Sequence, residues 1–222
     1  MHDALERLFS QQDDKLQLPG VHTVYTVPPW LRIRRPNIGA LYSGSGLYTL
    51  PAQKVRRRSE GDAPGPFHPP GIERLIELVT RRGDWNRLLG ERATLERLIL
   101  ESGGHLRDLV RLLQTIAIEA RTIPADRATV DRAISRLREQ FLPIATNDAR
   151  WLAEIARSRN AELKDLSLMG TLARYFDSHL VLSYLNGEAW YDVHPLVRAH
   201  ILAQAGPAPI APAATPAPAD AT

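Results

Sequence analysis

Arg107 opens a strongly periodic apolar stretch, Leu106-Arg-Asp-Leu-Val-Arg-Leu-Leu113, directly behind Ser102-Gly-Gly-His105. Leu106, Leu109, Val110, Leu113, Ile116 and Ala117 recur at helical spacing, which predicts a helix from Gly104 to about Ala120 with one buried face. Ser102 is placed to cap it, and Gly103-Gly104 to turn the backbone tightly into it. Arg107 then falls in the first turn, where the helix dipole disfavours a cation. Such an arginine is either an ordinary solvated side chain or one that binds an anion such as phosphate, whose geometry a guanidinium matches.

Other residues with chemical potential are scattered. Thr26 lies near the end of Val21-His-Thr-Val-Tyr-Thr-Val27, where a threonine is commonly just a β-former. Arg32, Arg34 and Arg35 form a basic cluster, read as a solvated face or as an arginine finger for a neighbouring subunit. Arg56-Arg57-Arg58 could touch nucleic acid or simply be solvated. The seven histidines show no paired metal-ligand spacing, and His194 before Pro195 reads as a helix-start or packing residue. No Ser/His/Asp set has a recognisable local signature. Gly44-Ser-Gly46 reads as a turn and not a phosphate loop, because no Lys-Ser or Lys-Thr follows it.

The elements that must position these groups can be read in order. His2 to about Lys15 is an amphipathic helix. Val21–Val27 reads as a buried strand of a larger sheet, stopped by Pro28-Pro29. Leu47–Leu50 and Gln53–Arg57 are short extended pieces, and residues 59–71 read as a Gly/Pro-rich linker. Four amphipathic helices follow up to about Pro143, predicted to pack as a small bundle. Two more helices carry Trp151, Leu152 and Ile155, then Met169, Leu172 and Phe176. Leu180–Leu185, Asn186-Gly187 and Glu188–Val193 predict a hairpin with a two-residue type I′ turn. Pro195 opens a last helix, and the Pro/Ala-rich tail from Gly206 should be disordered.

Composition excludes some classes. The 222 residues carry no cysteine, so disulfides, thiolate nucleophiles and cysteine metal sites are out. A net charge of +3 is mild and does not argue for nucleic acid. No apolar run approaches membrane-spanning length and the N-terminus is not a signal peptide, so no membrane partner is expected and a cytoplasmic location is the default.

This order of elements resembles the C-terminal half of an AAA+ or STAND-like P-loop ATPase, closest to the origin-recognition-like branch. Ser102 to Arg107 is the one fairly specific motif, and the likeness in element order covers roughly residues 15–203. The resemblance implies a sensor 2 arginine at Arg107, at a lid helix that begins with Gly103-Gly104, and a sensor 1 position at Thr26. It also implies a mainly α, α+β chain in four parts. These are a partial ATPase core with a sheet remnant (1–60), a four-helix lid bundle (61–145), a winged helix (146–205) and the Pro/Ala tail (206–222). The sequence contains no Gly-x-x-x-x-Gly-Lys-Ser/Thr and no apolar strand ending in paired carboxylates. ATP is therefore expected as a cofactor only together with an upstream half, and no metal site and no autonomous catalysis are expected. The function implied is a nucleotide-sensing segment that does not hydrolyse alone; a fragment or degenerate relative without activity is also open. The second class is a winged-helix module docking a protein partner or, more weakly, nucleic acid. Partners are then an upstream ATPase half, another protein or a second copy of the chain. Protein docking is favoured over DNA because only Arg174 marks the recognition helix, whereas Trp190 or Tyr191 should be open to a partner.

Overall fold

The computed structural model describes residues 2–42, 47–163 and 165–207. The chain is mainly helical with one two-stranded antiparallel sheet. Among the described residues no helix is long and apolar enough to cross a membrane. The Gly44-Ser-Gly46 turn and most of the Pro/Ala tail lie outside the described residues.

The N-terminal part holds α1 (His2–Gln11), α2 (Asp13–Leu16) and α3 (Pro29–Arg34). Phe9, Trp30, Leu31 and Ile38 make a small core against Ala173 of a later helix, with Val27 and Leu47 at its border. Residues 21–27 are not a buried strand. They run over the surface outside any helix or strand, with no strand pairing among the described residues, and Val24 is 94% exposed. A β-prone run forms a ladder only when a neighbour completes its hydrogen bonds. The expected sheet remnant is thus absent from the described residues.

Residues 51–68 are a strap, not a free linker. Ala52 N donates to Ser183 O (2.9 Å), Gln53 N to Gly104 O (3.0 Å) and His68 N to Val55 O (2.8 Å), while Val55 enters the main core. The boundary expected at 60–61 falls inside this strap.

The bundle follows as α4 (Pro69–Thr80), α5 (Trp85–Leu89), α6 (Arg92–Glu101), α7 (Leu106–Glu119) and α8 (Arg127–Glu139). Ile72, Leu75, Ile76, Leu95, Leu98, Leu109, Leu112, Ile116, Val130 and Leu137 close its core. Asp126 caps α8 by accepting from Thr129 N (2.7 Å). The short α5 was not legible as a separate helix; Asp84 caps it by accepting from Arg87 N (3.0 Å).

A second core joins α9 (Thr146–Ser158), α10 (Met169–Asp177), the hairpin β1 (Val181–Asn186) and β2 (Glu188–Val193), and α11 (Pro195–Ala205). The hairpin register differs from a two-residue turn. Asn186 pairs with Glu188, leaving Gly187 alone at the bend with φ 84°. This pairs Tyr184 with Trp190, whose rings stack at 4.3 Å, and places Leu182 on the same face. A one-residue slip would put Trp190 on the face opposite Tyr184, since side chains alternate. Burial of that aromatic pair therefore outweighs the local preference of Asn-Gly. Tyr184 and Trp190 are buried, and Tyr191 packs on Phe176 at 5.4 Å, so the hairpin aromatics are committed to the chain's own core.

Candidate functional site

Gly103 and Gly104 form the corner between α6 and α7, with φ of 60° and 77°. A Cβ on Gly103 would come within 2.6 Å of Leu182 Cδ1, and one on Gly104 within 1.8 Å of Gln53 O. The strap, the hairpin and the start of α11 close onto this corner, and Tyr184 Oη donates to Gly103 O at 2.7 Å. The two glycines therefore have a packing reason to be small as well as a conformational one. Ser102 does not cap α7. Its hydroxyl donates to Ile99 O (2.8 Å) and accepts from Gly104 N (3.3 Å), which finishes α6 instead. The N-cap of α7 is His105.

Arg107 sits in the exposed first turn of α7, and among the described residues it makes no hydrogen bond or ion pair. Its positive charge is nonetheless felt at His179. Thr26 lies in the exposed, irregular run on the N-terminal part.

Behind Arg107 stands a cluster that the sequence did not disclose. Asp108 is buried, and its Oδ2 lies 2.7 Å from His105 Nδ1 and 3.3 Å from His194 Nε2. The first contact is a hydrogen bond; the second is long and poorly aligned, an electrostatic contact only. His194 Nδ1 accepts from Leu196 N (3.3 Å) and so caps α11, which leaves its proton on Nε2 facing Asp108. His194 is thus a helix-start residue, and also the tie between α11 and α7. His179, at φ 59° just beyond α10, stacks on His105 with ring centroids 4.2 Å apart, and Phe141 covers His194 at 4.5 Å. Arg111 reaches Asp108 Oδ1 at 3.5 Å and donates to Gln140. Asp108, Arg111, Gln140, Phe141, His179 and Leu180 border a cleft of about 170 Å³.

The electrostatics follow from this geometry. Burial would raise the Asp108 carboxyl, but His105 and then His194 outweigh it and hold it well below the usual carboxylate range. Burial pushes His194 down, against the pull of Asp108. Burial pushes His179 down too, and the neighbouring His105 adds to it. The cluster is one buried carboxylate held by His105 and His194, with burial favouring the neutral form of His194 and of the neighbouring His179. The cluster's one hydroxyl, Ser178 at the rim, is donated to Arg174 O (2.8 Å) and not to a histidine. Its chemistry is that of a lock between elements.

A second polar knot holds the strap. Arg159, buried at the C-cap of α9 with φ 59°, donates to Ser59 O (2.6 Å) and Ala63 O (3.0 Å) and pairs with Asp192 (2.7 Å). Arg198 binds Gly61 O (3.0 Å) and Asp192, and Arg157 binds Asp62 Oδ1 (2.6 Å). Burial raises Asp192, with Arg198 and Arg159 opposing. All these groups are consumed by one another, so the knot is structural.

The other arginines singled out in the sequence are tied locally, except Arg57, which is exposed and makes no side-chain hydrogen bond or ion pair among the described residues. Arg34 and Arg35 pair with Glu6 at 3.0 and 2.6 Å, and Arg32 donates to Thr49. Arg56 donates to Gly65 O (2.9 Å) and lies over the Phe67 ring, and Arg58 faces Glu60 and Glu188. Arg174 pairs with Asp148 at 2.8 Å. Among the described residues no group of three or more His, Asp or Glu could hold a metal ion. A shallow hollow of about 440 Å³ beside α8 is lined by Glu119, Arg121, Asp126, Thr129, Arg132 and Arg136, with Arg136 already paired to Glu119. The chain matches no family model, no curated protein and no solved structure.

Proposed function

We propose that this chain is the lid and winged-helix segment of an AAA+-like P-loop ATPase, sensing bound nucleotide through Arg107 without hydrolysing it alone. The observation that carries the reading is Arg107 itself. It stands exposed, with no ionic partner among the described residues, in a helix turn that disfavours a cation. The next residue, Asp108, ties that turn to α11 through His194. An anion drawn to Arg107 would therefore act on a helix start coupled to the hairpin unit. In this reading the bundle α4–α8 is the lid, and α9, α10, the hairpin and α11 are the winged helix. What the chain offers a nucleotide triphosphate is this one arginine. The phosphate cradle and magnesium carboxylates are not in its sequence and would come from an upstream half.

The purified chain is expected to release no phosphate from ATP or GTP. Release above a no-protein blank, lost on Arg107→Ala, would overturn the reading. When the polypeptide encoded directly upstream is supplied in trans, Arg107→Ala should weaken retention of a fluorescent ATP analogue about tenfold or more, the worth of one charge-assisted hydrogen bond. Arg74→Ala, on the exposed face of α4, is the control and should change nothing. Arg111→Ala would be a poor control, because Arg111 contacts Asp108 and Gln140. Equal losses from the Arg107 and Arg74 changes would remove the specific role.

A further inference from the structure

We propose that the exposed run Val21–Val27 is a self-pairing β edge, through which two copies of this chain join as antiparallel strands. The proposal goes beyond the nucleotide reading and does not use Arg107. Three observations carry it. The backbone from His22 to Val27 lies outside every helix, turn and strand and makes no backbone–backbone hydrogen bond among the described residues. Unpaired amides and carbonyls in an exposed β-prone run are a template onto which another strand adds, and a helix cannot satisfy them. The segment is also held in place from one side. Tyr25 donates to Leu16 O (2.8 Å) and meets Phe9 edge-on at 5.9 Å, and Val27 borders the N-terminal core. That anchoring lowers the entropy cost of pairing.

The third observation selects the occupant. Val-His-Thr-Val-Tyr-Thr-Val has no Asp, Glu, Lys or Arg, the residues that usually keep an edge apart from its like. Its pattern is also self-complementary about its centre. Antiparallel pairing about Val24 sets Val21 against Val27, His22 against Thr26, Thr23 against Tyr25 and Val24 against Val24. Apolar meets apolar at the ends and the centre, with a hydroxyl in each pair between, as a two-fold interface requires. The pairing would cover Val24, which is otherwise 94% exposed. Pro28-Pro29 ends the ladder, so the pairing stays short.

The chain has no cysteine, so single-cysteine chemistry tests this cleanly. Opposed residues of antiparallel strands have Cα separations of about 4.5–5.5 Å, inside the range a disulfide spans. Val24→Cys should give a disulfide-linked dimer under mild oxidation. Leu50→Cys, at a position 97% exposed but off the centre of the pairing, should give far less. Sedimentation of the wild-type chain should show a concentration-dependent dimer, and Val24→Lys should return it to monomer with its helical circular dichroism intact. A wild-type monomer at high micromolar concentration overturns the proposal and leaves the edge to a strand from another protein. It is overturned equally if the Val24→Lys chain still dimerises, if the two cysteine variants cross-link at one rate, or if open-ended aggregates form in place of a dimer.

Discussion

Arg107 and Asp108 are adjacent in sequence yet do opposite work. Arg107 is exposed with its charge uncommitted among the described residues, while Asp108 is buried and holds two imidazoles. That arrangement sets a pH dependence. His179 and His194 titrate below the ordinary 6.5 in the folded chain, so the unfolded chain takes up their protons first. Stability therefore falls as pH drops through 6.5 towards the folded values. Asp108 acts in the other sense: its carboxyl is depressed below 3.8, and its contribution is kept until pH falls below that value. The loss in mild acid thus belongs to the histidines. Beside His179 stand His105 and Arg107, which resist its protonation, and Asp108 and Asp177, which favour it. Denaturant midpoints should fall from about pH 7.5 to about pH 5.5. His179→Asn, which tolerates the positive φ and does not titrate, should flatten that fall. An unchanged slope in the variant would place the acid sensitivity elsewhere.

At the scale of elements, the corner at Gly103-Gly104 decides how the strap, α7 and the hairpin meet. Gly104→Ala must adopt φ 77° and push a methyl into Gln53 O. Both costs apply together, and the loss should be roughly 2–4 kcal/mol by denaturant titration. Gly83→Ala has open space around its new methyl and should be neutral or stabilising by a few tenths of a kcal/mol. Matching effects from the two would show that the corner is not closely packed. The glycines, the helix α7 and the existence of the hairpin were legible in the sequence because each is set by local spacing. The buried face of α7 is nonetheless turned from the expected stripe: Asp108, Leu109, Leu112 and Ile116 are buried while Leu106 and Ala117 are exposed. The hairpin register was not legible, because the stacked Tyr184–Trp190 pair and the bond from Tyr184 to Gly103 O lie outside the reach of a turn rule. The Asp108–His194 contact was equally hidden. A histidine three residues before an aspartate at a helix start was the one local sign, and it pairs His105 with Asp108 but says nothing of α11. The strap read as a linker from its glycines and prolines, since the arginines that hold it come from α9 and α11.

Across the whole molecule, stability should be unevenly spread, and the contrast within the first 60 residues is the sharpest. The bundle and the second core are joined by Leu196 of α11, which packs into the bundle core, and by the Asp108–His194 contact. The strap is bonded to both through Gly104, Ser183 and Arg157. Amides at Leu109, Leu112 and Ile116 on the buried face of α7 should therefore open only with the whole fold. Ala52, Gln53, Arg57 and His68 donate to backbone carbonyls and should also be slow, although a composition-based reading makes part of this stretch a loop. His22 to Val27 have no such acceptors among the described residues, and in the monomer their amides should exchange near the rate of an unstructured chain. Native-state hydrogen exchange at low protein concentration reads all three classes at once. Raising the concentration should slow only the 22–27 set if copies pair there, with α7 and the strap unchanged. A monomer that exchanges slowly and uniformly from residue 20 onward would contradict the picture of an anchored but unpaired edge. Fast exchange at Ala52 and Gln53 would contradict the strap, and with it the corner that places Arg107.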